Sequence, residues 1–202
     1  MRLIAVLVAA VILGACTTNT THPAAGTTTP TVTAALDCTK PADAAQQLVC
    51  NDPQLTDLDH RLQAANQQAL GRPGADRAAL TAAQQSWASV RDGCTHNADV
   101  HTCLLEAYQT RLVQLAIADP ATVPPPVVSY QCPAGFGPLT AQFYNLFDPP
   151  TAVLNWKGNQ EILFIQLSGS GARYGRQGSK YWEHQGEVKL DFNGTKFVCH
   201  TP

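Results

Sequence analysis

The chain has 202 residues, of which 45% are apolar and 14% charged, with a formal net charge of −2. That length and makeup support one or two packed domains and exclude bulk disorder. Asp37 to Asp119 carries six cations and ten acids, net −4, and Tyr130 to Pro202 six cations and five acids, net +1, so neither half is basic enough for a nucleic-acid partner.

Arg2 precedes an unbroken apolar run from Leu3 to Leu13, followed by Gly14, Ala15 and Cys16. Such a run is too short to span a hydrocarbon core of about 30 Å. A basic start, an apolar stretch and small residues before a cut predict a signal peptide over residues 1–15. Leu13-Gly14-Ala15-Cys16 also resembles the bacterial lipobox. That resemblance implies cleavage before Cys16, a lipid on its sulfur and a chain tethered to the outer face of the cell membrane or the cell surface. Stable tethering needs more than one acyl chain, which bacterial lipoproteins generally carry. Nine of the seventeen residues from Thr17 to Thr33 are threonine, with Pro23 and Pro30 among them. With no apolar period and little charge, residues 16–36 are expected to form a disordered stalk.

Six cysteines remain after Cys16: Cys38, Cys50, Cys94 and Cys103, then Cys132 and Cys199. An even number in an exported chain predicts disulfides. Cys94, His96, His101 and Cys103 together offer zinc-type ligands. The spacing matches no common finger and exported thiols oxidise, so no metal is expected.

Residues 37–118 read as helices. Asp52-Pro53 is a start signal, an N-cap acid followed by proline at the first turn. Leu55, Leu58, Leu62, Ala65 and Ala69 then lie on one stripe, ended by Gly71, Pro73 and Gly74. Leu80, Ala83, Trp87 and Val90 mark a second long helix closed by Gly93. Leu105, Tyr108, Leu112 and Leu115 mark a third, and a short helix from Pro41 to Cys50 precedes them. Short connections favour an antiparallel bundle with all four of its cysteines at one end. Three pairings are possible, and the shortest loops are Cys38–Cys50 and Cys94–Cys103. Asp37-Cys38, Leu48-Val49-Cys50, Leu55 to Asp59, Gln84 to Trp87, Arg91 to Cys94 and Cys103 to Arg111 resemble the helical domain that opens mycobacterial lysozyme-inhibiting lipoproteins of the LprI type. Trp87 is expected in the core, and Asp59 and Arg111 as a pair across helices.

Residues 119–127 form a linker. Pro120, Pro124, Pro125 and Pro126 should stop helix and stiffen the chain into an extended spacer. Residues 128–202 then change period. Leu139, Ala141 and Phe143 alternate with polar neighbours, as do Val188, Leu190 and Phe192; Val153 to Trp156 and Ile162 to Leu167 read as fuller strands. Gly158-Asn159 and Asn193-Gly194 are turn pairs. The expected fold class is α+β: a small disulfide-bonded helical bundle followed by a small antiparallel β-barrel of about eight strands. Cys132 on the first strand and Cys199 on the last should pair to close the barrel.

The segment Ser168 to Trp182 holds four glycines, three serines, three cations and no acid. It lacks the spacing of a G-x-S-x-G elbow and the helix and lysine of a phosphate-binding P-loop. No histidine–carboxylate pair stands at an obvious spacing from Ser170, so neither an enzyme nor a cofactor is expected. Glycines that let a backbone approach closely, with hydroxyl and cationic donors, describe a loop for an anionic, concave target.

Ser170-Gly171-Ala172-Arg173-Tyr174, then Trp182 and Gly186-Glu187, with Tyr130-Gln131-Cys132 and Cys199, resemble the membrane-bound inhibitors of c-type lysozyme. The resemblance implies an eight-stranded barrel whose loop enters the lysozyme cleft, which holds two carboxylates. It implies contacts from Ser168, Ser170, Gly171, Arg173, Tyr174, Lys180, Trp182 and His184, with Ser170 at the position of the family's serine. His184 stands where the family has a lysine and Gln185 where it has a glycine, so Lys180 or Arg173 is an alternative second contact. The partners implied are c-type lysozyme and, through Cys16, a membrane. A cell-wall-binding or envelope-assembly lipoprotein is the competing expectation.

Overall fold

The computed structural model of the chain describes residues 36–201. The expected signal peptide, Cys16 and residues 17–35 of the expected stalk lie outside the described residues, which fall within one compact unit.

Four helices come first: α1 (Ala44–Asn51), α2 (Pro53–Gly71), α3 (Arg77–Gly93) and α4 (Val100–Ile117), with a 3-10 turn at Cys94–His96. An aspartate starts each α-helix. Asp43 accepts from the Gln46 amide, Asp52 from those of Gln54 and Leu55, Asp76 from Ala79 and Asp99 from Thr102. Each satisfies amides that have no partner inside the helix. Val49, Leu55, Leu58, Leu62, Leu104, Tyr108 and Leu115 form the core between α1, α2 and α4. Disulfides join Cys38 to Cys50 and Cys94 to Cys103.

The α3 stripe departs from expectation. Val90 is 60% exposed and Leu80 and Trp87 are only partly buried; Gln84 is the buried residue of this helix. The periodicity is real, but much of that face fronts a cavity.

Eight strands follow: β1 (Val128–Tyr130), β2 (Leu139–Tyr144), β3 (Thr151–Trp156), β4 (Asn159–Ile165), β5 (Ala172–Arg176), β6 (Ser179–His184), β7 (Glu187–Phe192) and β8 (Thr195–His200). Each pairs antiparallel with the next. Gln131 and His200 exchange amide–carbonyl bonds of 3.0 and 2.9 Å, bringing β1 to β8, and the Cys132–Cys199 disulfide lies beside that bridge. Cys132 thus falls two residues past β1 rather than within it. Leu139, Ala141, Leu154, Leu163, Tyr174, Tyr181, Val188 and Phe197 fill the interior.

Three hairpin turns place successive residues at positive φ: Lys157-Gly158, Gln185-Gly186 and Asn193-Gly194. This conformation matches the twist of the flanking strands. The first turn is Lys157-Gly158 rather than Gly158-Asn159, since Asn159 already pairs with Trp156.

The fuller strands have a physical cause. On β3 and β4 the inner face joins the barrel core, while Val153, Ile162 and Phe164 on the outer face join Tyr144 of β2 and Val113 of α4 in a separate apolar cluster, with Ile117 beside it. Strands covered on both faces lose the alternation of a half-exposed sheet. The linker is accordingly not a spacer that holds helices and barrel apart. Its Pro125 carbonyl accepts from the Gln142 side chain of β2 at 2.9 Å, and α4 lies on the sheet.

Candidate binding site

The glycine- and serine-rich segment is not one loop. β4 stops at Ile165, short of the expected Leu167, and Gln166 still donates its amide to the Arg173 carbonyl at 2.8 Å. The open part is Leu167–Gly171. After it the chain forms β5, turns at Gln177-Gly178 and returns as β6.

Gly171 sets the loop's exit. Its φ is +69°, and a Cβ there would overlap the Glu183 carbonyl oxygen of β6 and lie 3.2 Å from the His184 Cα. Only glycine lets the loop cross the strand so closely. The Ser170 carbonyl is fixed by two donors, the Trp182 indole N–H at 3.1 Å and the Ser168 hydroxyl at 2.5 Å. The loop backbone is therefore pinned, while Ser170 itself is exposed.

Strand alternation sorts the expected residues. Arg173 lies opposite Trp182, Lys180 opposite Asp191 and Trp182 opposite Lys189. These side chains share the outer face. The Lys189 ammonium is 5.0 Å from the centre of the Trp182 ring, a cation–π contact, and the His184 ring stacks on Trp182 at 6.0 Å. Tyr174 faces the other way. It is 5% exposed and packs against Phe143 and Tyr181 in the barrel core, so it anchors β5 from within instead of offering a surface contact.

The loop and the outer face of β5–β8 enclose a groove of about 760 Å³. Four cations, Arg173, Lys180, Lys189 and Lys196, line it against a single carboxylate, Asp191, whose nearest ion-pair contact is to Lys196 at 3.9 Å. Leu167, 99% exposed, and Val198, 39% exposed, add apolar surface. Sequence reasoning missed Lys189, Lys196, Leu167 and Val198. The period of β7, with Val188 and Leu190 inward, was the available signal for Lys189 facing out. His184 is outside the groove lining and abuts the base of the loop through Gly171.

In the helical part, Asp59 and Arg111 do not pair. The Asp59 carboxylate accepts from the Tyr108 hydroxyl at 2.9 Å and from the Gln63 amide, whereas Arg111 donates to Gln84 at 3.1 Å. Helix phase places them on separate partners. Burial, reinforced by the Asp59 carboxylate, raises the Tyr108 pKa and keeps the hydroxyl protonated as a donor. Trp87 is partly buried, meets Tyr108 edge-on at 5.0 Å and donates to the Ala107 carbonyl at 2.9 Å. The zinc-type ligands are dispersed: Cys94 and Cys103 are spent on each other, and His101 lies 3.2 Å from Asp52. Among the described residues no three potential metal ligands cluster.

A family described as membrane-bound lysozyme-inhibitor of c-type lysozyme matches residues 130–198. Over its whole length the chain is 65% identical to lipoprotein LprI of Mycobacterium bovis and of Mycobacterium tuberculosis, aligned across 201 residues and all of each relative. A crystal structure of Pseudomonas aeruginosa MliC in complex with hen egg white lysozyme is 22% identical, covering 42% of this chain and 96% of that one with a TM-score of 0.34.

Proposed function

The chain belongs to the LprI lipoprotein family, and on that premise we propose that it is an exported lipoprotein, anchored through Cys16, that inhibits c-type lysozyme with the groove beside Ser170. Residues 1–15 serve as signal peptide, 16–36 as stalk, 37–118 as the helical domain, 119–127 as linker and 128–202 as the inhibitory barrel. The observation that carries the reading is the grouping of Arg173, Lys180 and Lys189 around a pinned loop with an exposed serine, inside the segment that matches the inhibitor family.

The chemistry is occlusion without catalysis. A c-type lysozyme works with two carboxylates in a cleft, one held protonated by its surroundings and one ionised. Cations and a hydroxyl brought to those groups stabilise the ionised forms, which removes the general acid, while the loop excludes sugar. Gly171 and the fixed Ser170 carbonyl keep the loop preformed, so little ordering entropy is lost on docking. Arg173 and Lys180 supply charge, Ser168 and Ser170 hydroxyls, and Trp182 a rigid floor. His184, next to the loop base, takes the second carboxylate contact when protonated.

A muramidase turbidity assay tests this. The chain from residue 17 onward, which keeps every described residue, should abolish clearing of a bacterial suspension by c-type lysozyme when present in excess. Undiminished clearing would refute inhibition and favour a protein whose cationic groove grips acidic wall polymers.

A further inference from the structure

A second cavity, of about 520 Å³, lies between α3, α4 and the β5–β6 turn and shares no lining residue with the groove beside Ser170. Its volume suits a small organic ligand, whose sites run from roughly 300 to 1,000 Å³.

The walls are chemically lopsided. Among the described residues four buried side-chain polar atoms lack a hydrogen-bond partner: Asn66 Oδ1, Thr110 Oγ1, Arg111 Nη2 and Arg176 Nε. The last three belong to residues that line this one cavity, and each can donate. Arg111 is the central case. It is 6% exposed, and its bonds go to the neutral oxygens of Gln84 at 3.1 Å and Gln114 at 3.5 Å. None of the ion pairs among the described residues includes it. A buried guanidinium without a carboxylate is costly, because two neutral acceptors replace only part of the hydration that burial removes and Nη2 is left with no partner. Arg176 differs, since Glu161 neutralises it at 2.9 Å and only its Nε is open.

The opposite wall is apolar. Ala83 and Val90, exposed residues of the α3 stripe, line the cavity together with Trp87, which also packs against the helical core. Glu106 stands at the rim, its carboxylate taken by the Gln177 amide. One uncompensated cation, further donors, an apolar face and an acid at the rim select a ligand with a single negative charge and a hydrocarbon body. A phosphate dianion would add a second charge beside Glu106 and leave the stripe uncovered.

We infer that this cavity binds a small organic monocarboxylate, its oxygens on Arg111 and Thr110 and its hydrocarbon against Trp87 and Val90. The site is separate from the inhibitory groove and gives the helical part a ligand-binding role of its own.

Thermal unfolding and amide-resolved NMR of the chain from residue 17 onward test it, with butyrate, hexanoate and benzoate as probes. Each is compared with its neutral amide and with inorganic phosphate at equal ionic strength, up to about 20 mM, where even millimolar affinity saturates. At least one carboxylate should raise the melting temperature and shift amides of α3 and α4. Its amide should bind about tenfold or more weakly, as loss of a charge-assisted hydrogen bond requires. Ala83→Trp, at an exposed cavity-lining position, should block binding without unfolding the chain, and Thr110→Val should weaken it. Arg111→Gln should abolish it where that variant folds. Absence of any shift with all three carboxylates overturns the assignment. So does equal binding by the amides or phosphate, or carboxylate binding untouched in Ala83→Trp. Lysozyme inhibition is read separately and should be unaffected by Ala83→Trp, so failure of one site leaves the other standing.

Discussion

Glu106 of α4 accepts the backbone amide of Gln177, at the tip of the β5–β6 turn, with its two carboxylate oxygens at 3.0 and 2.9 Å. Asn97 adds a side-chain bond to Gln177 at 2.8 Å. The helical part thus grips one end of the hairpin whose other end carries the loop at Ser170. Burial raises the Glu106 pKa, with the Gln177 amide opposing. Protonation therefore favours the folded state through this group: its contribution is present below the unfolded pKa and is lost as pH rises through the folded one. Glu106→Gln should flatten that part of the stability–pH curve measured by urea unfolding between about pH 3 and pH 7. A curve parallel to wild type would mean that the grip carries no such linkage.

The outer face of β3 and β4 supplies a second expectation. Ile162 is 3% exposed and belongs to the cluster that α4 covers. Ile162→Ala should cost about 2–5 kcal/mol in denaturant unfolding, as truncation of a buried branched side chain does. Residues 128–202 alone should bind a hydrophobic dye that the longer chain ignores. A cost near zero, or a dye-silent barrel, would show that helices and barrel do not share this core in solution.

Much of the architecture was legible in the sequence, and the exceptions share a cause. Helical stripes in α2 and α4 and alternation in β2 and β7 report local period, and period was read correctly. Val153 to Trp156 broke alternation because α4 packs outside the sheet, a tertiary fact that no window of sequence contains. The segment at Ser168 looked like one loop because glycine and serine outweigh the pattern beneath them, Arg173 out and Tyr174 in. Gln185 looked like a departure from the family glycine, but its φ of 51° shows why glycine suits that turn. Asp59 and Arg111 could not be assigned because their partners, Tyr108 and Gln84, are selected by helix phase across the bundle. Ser170 and Trp182 were named together only through the family resemblance; the β5–β6 pairing that brings the Trp182 indole to the Ser170 carbonyl lay hidden in the same glycine-rich segment.

Gly171→Ala separates loop geometry from loop chemistry. The added methyl meets the Glu183 carbonyl, and the residue is held at positive φ. The substitution should destabilise by more than about 1 kcal/mol and displace Ser170, costing inhibition while every polar contact residue remains. A variant as inhibitory and as stable as wild type would show that the loop need not approach β6.

Ser170→Ala and Arg173→Ala probe the contacts themselves. Both residues lie outside the barrel core, so melting temperatures should hold. Each substitution should remove a hydrogen bond to a charged group, about 1.5–3 kcal/mol if that bond is fully buried, or roughly a ten- to hundredfold loss of affinity. Calorimetry against c-type lysozyme reads the loss directly. Unchanged affinity in both would move the contact surface elsewhere.

His184 predicts a pH signature. Imidazole changes charge between about pH 5 and pH 8, and lysine does not. The charged groups near this strand end are Glu183 beside it and Glu187 opposite, with Lys189 over the neighbouring Trp182. Docking beside a lysozyme carboxylate favours the protonated ring, so the added affinity is full in acid and fades as pH rises. Calorimetric affinities at about pH 5 and pH 8 should show His184→Lys losing most of the pH dependence that wild type has beyond His184→Ala. Three parallel curves would take His184 out of the contact and leave its role to Lys180 or Arg173.

Hydrogen exchange of the chain alone and mixed with c-type lysozyme tests the central claim most directly. The account predicts new protection at Leu167–Arg173 and along the outer-face residues of β6 and β7, with the helical amides little changed. Protection confined to α1–α4, or no protection at equimolar micromolar protein, would contradict it.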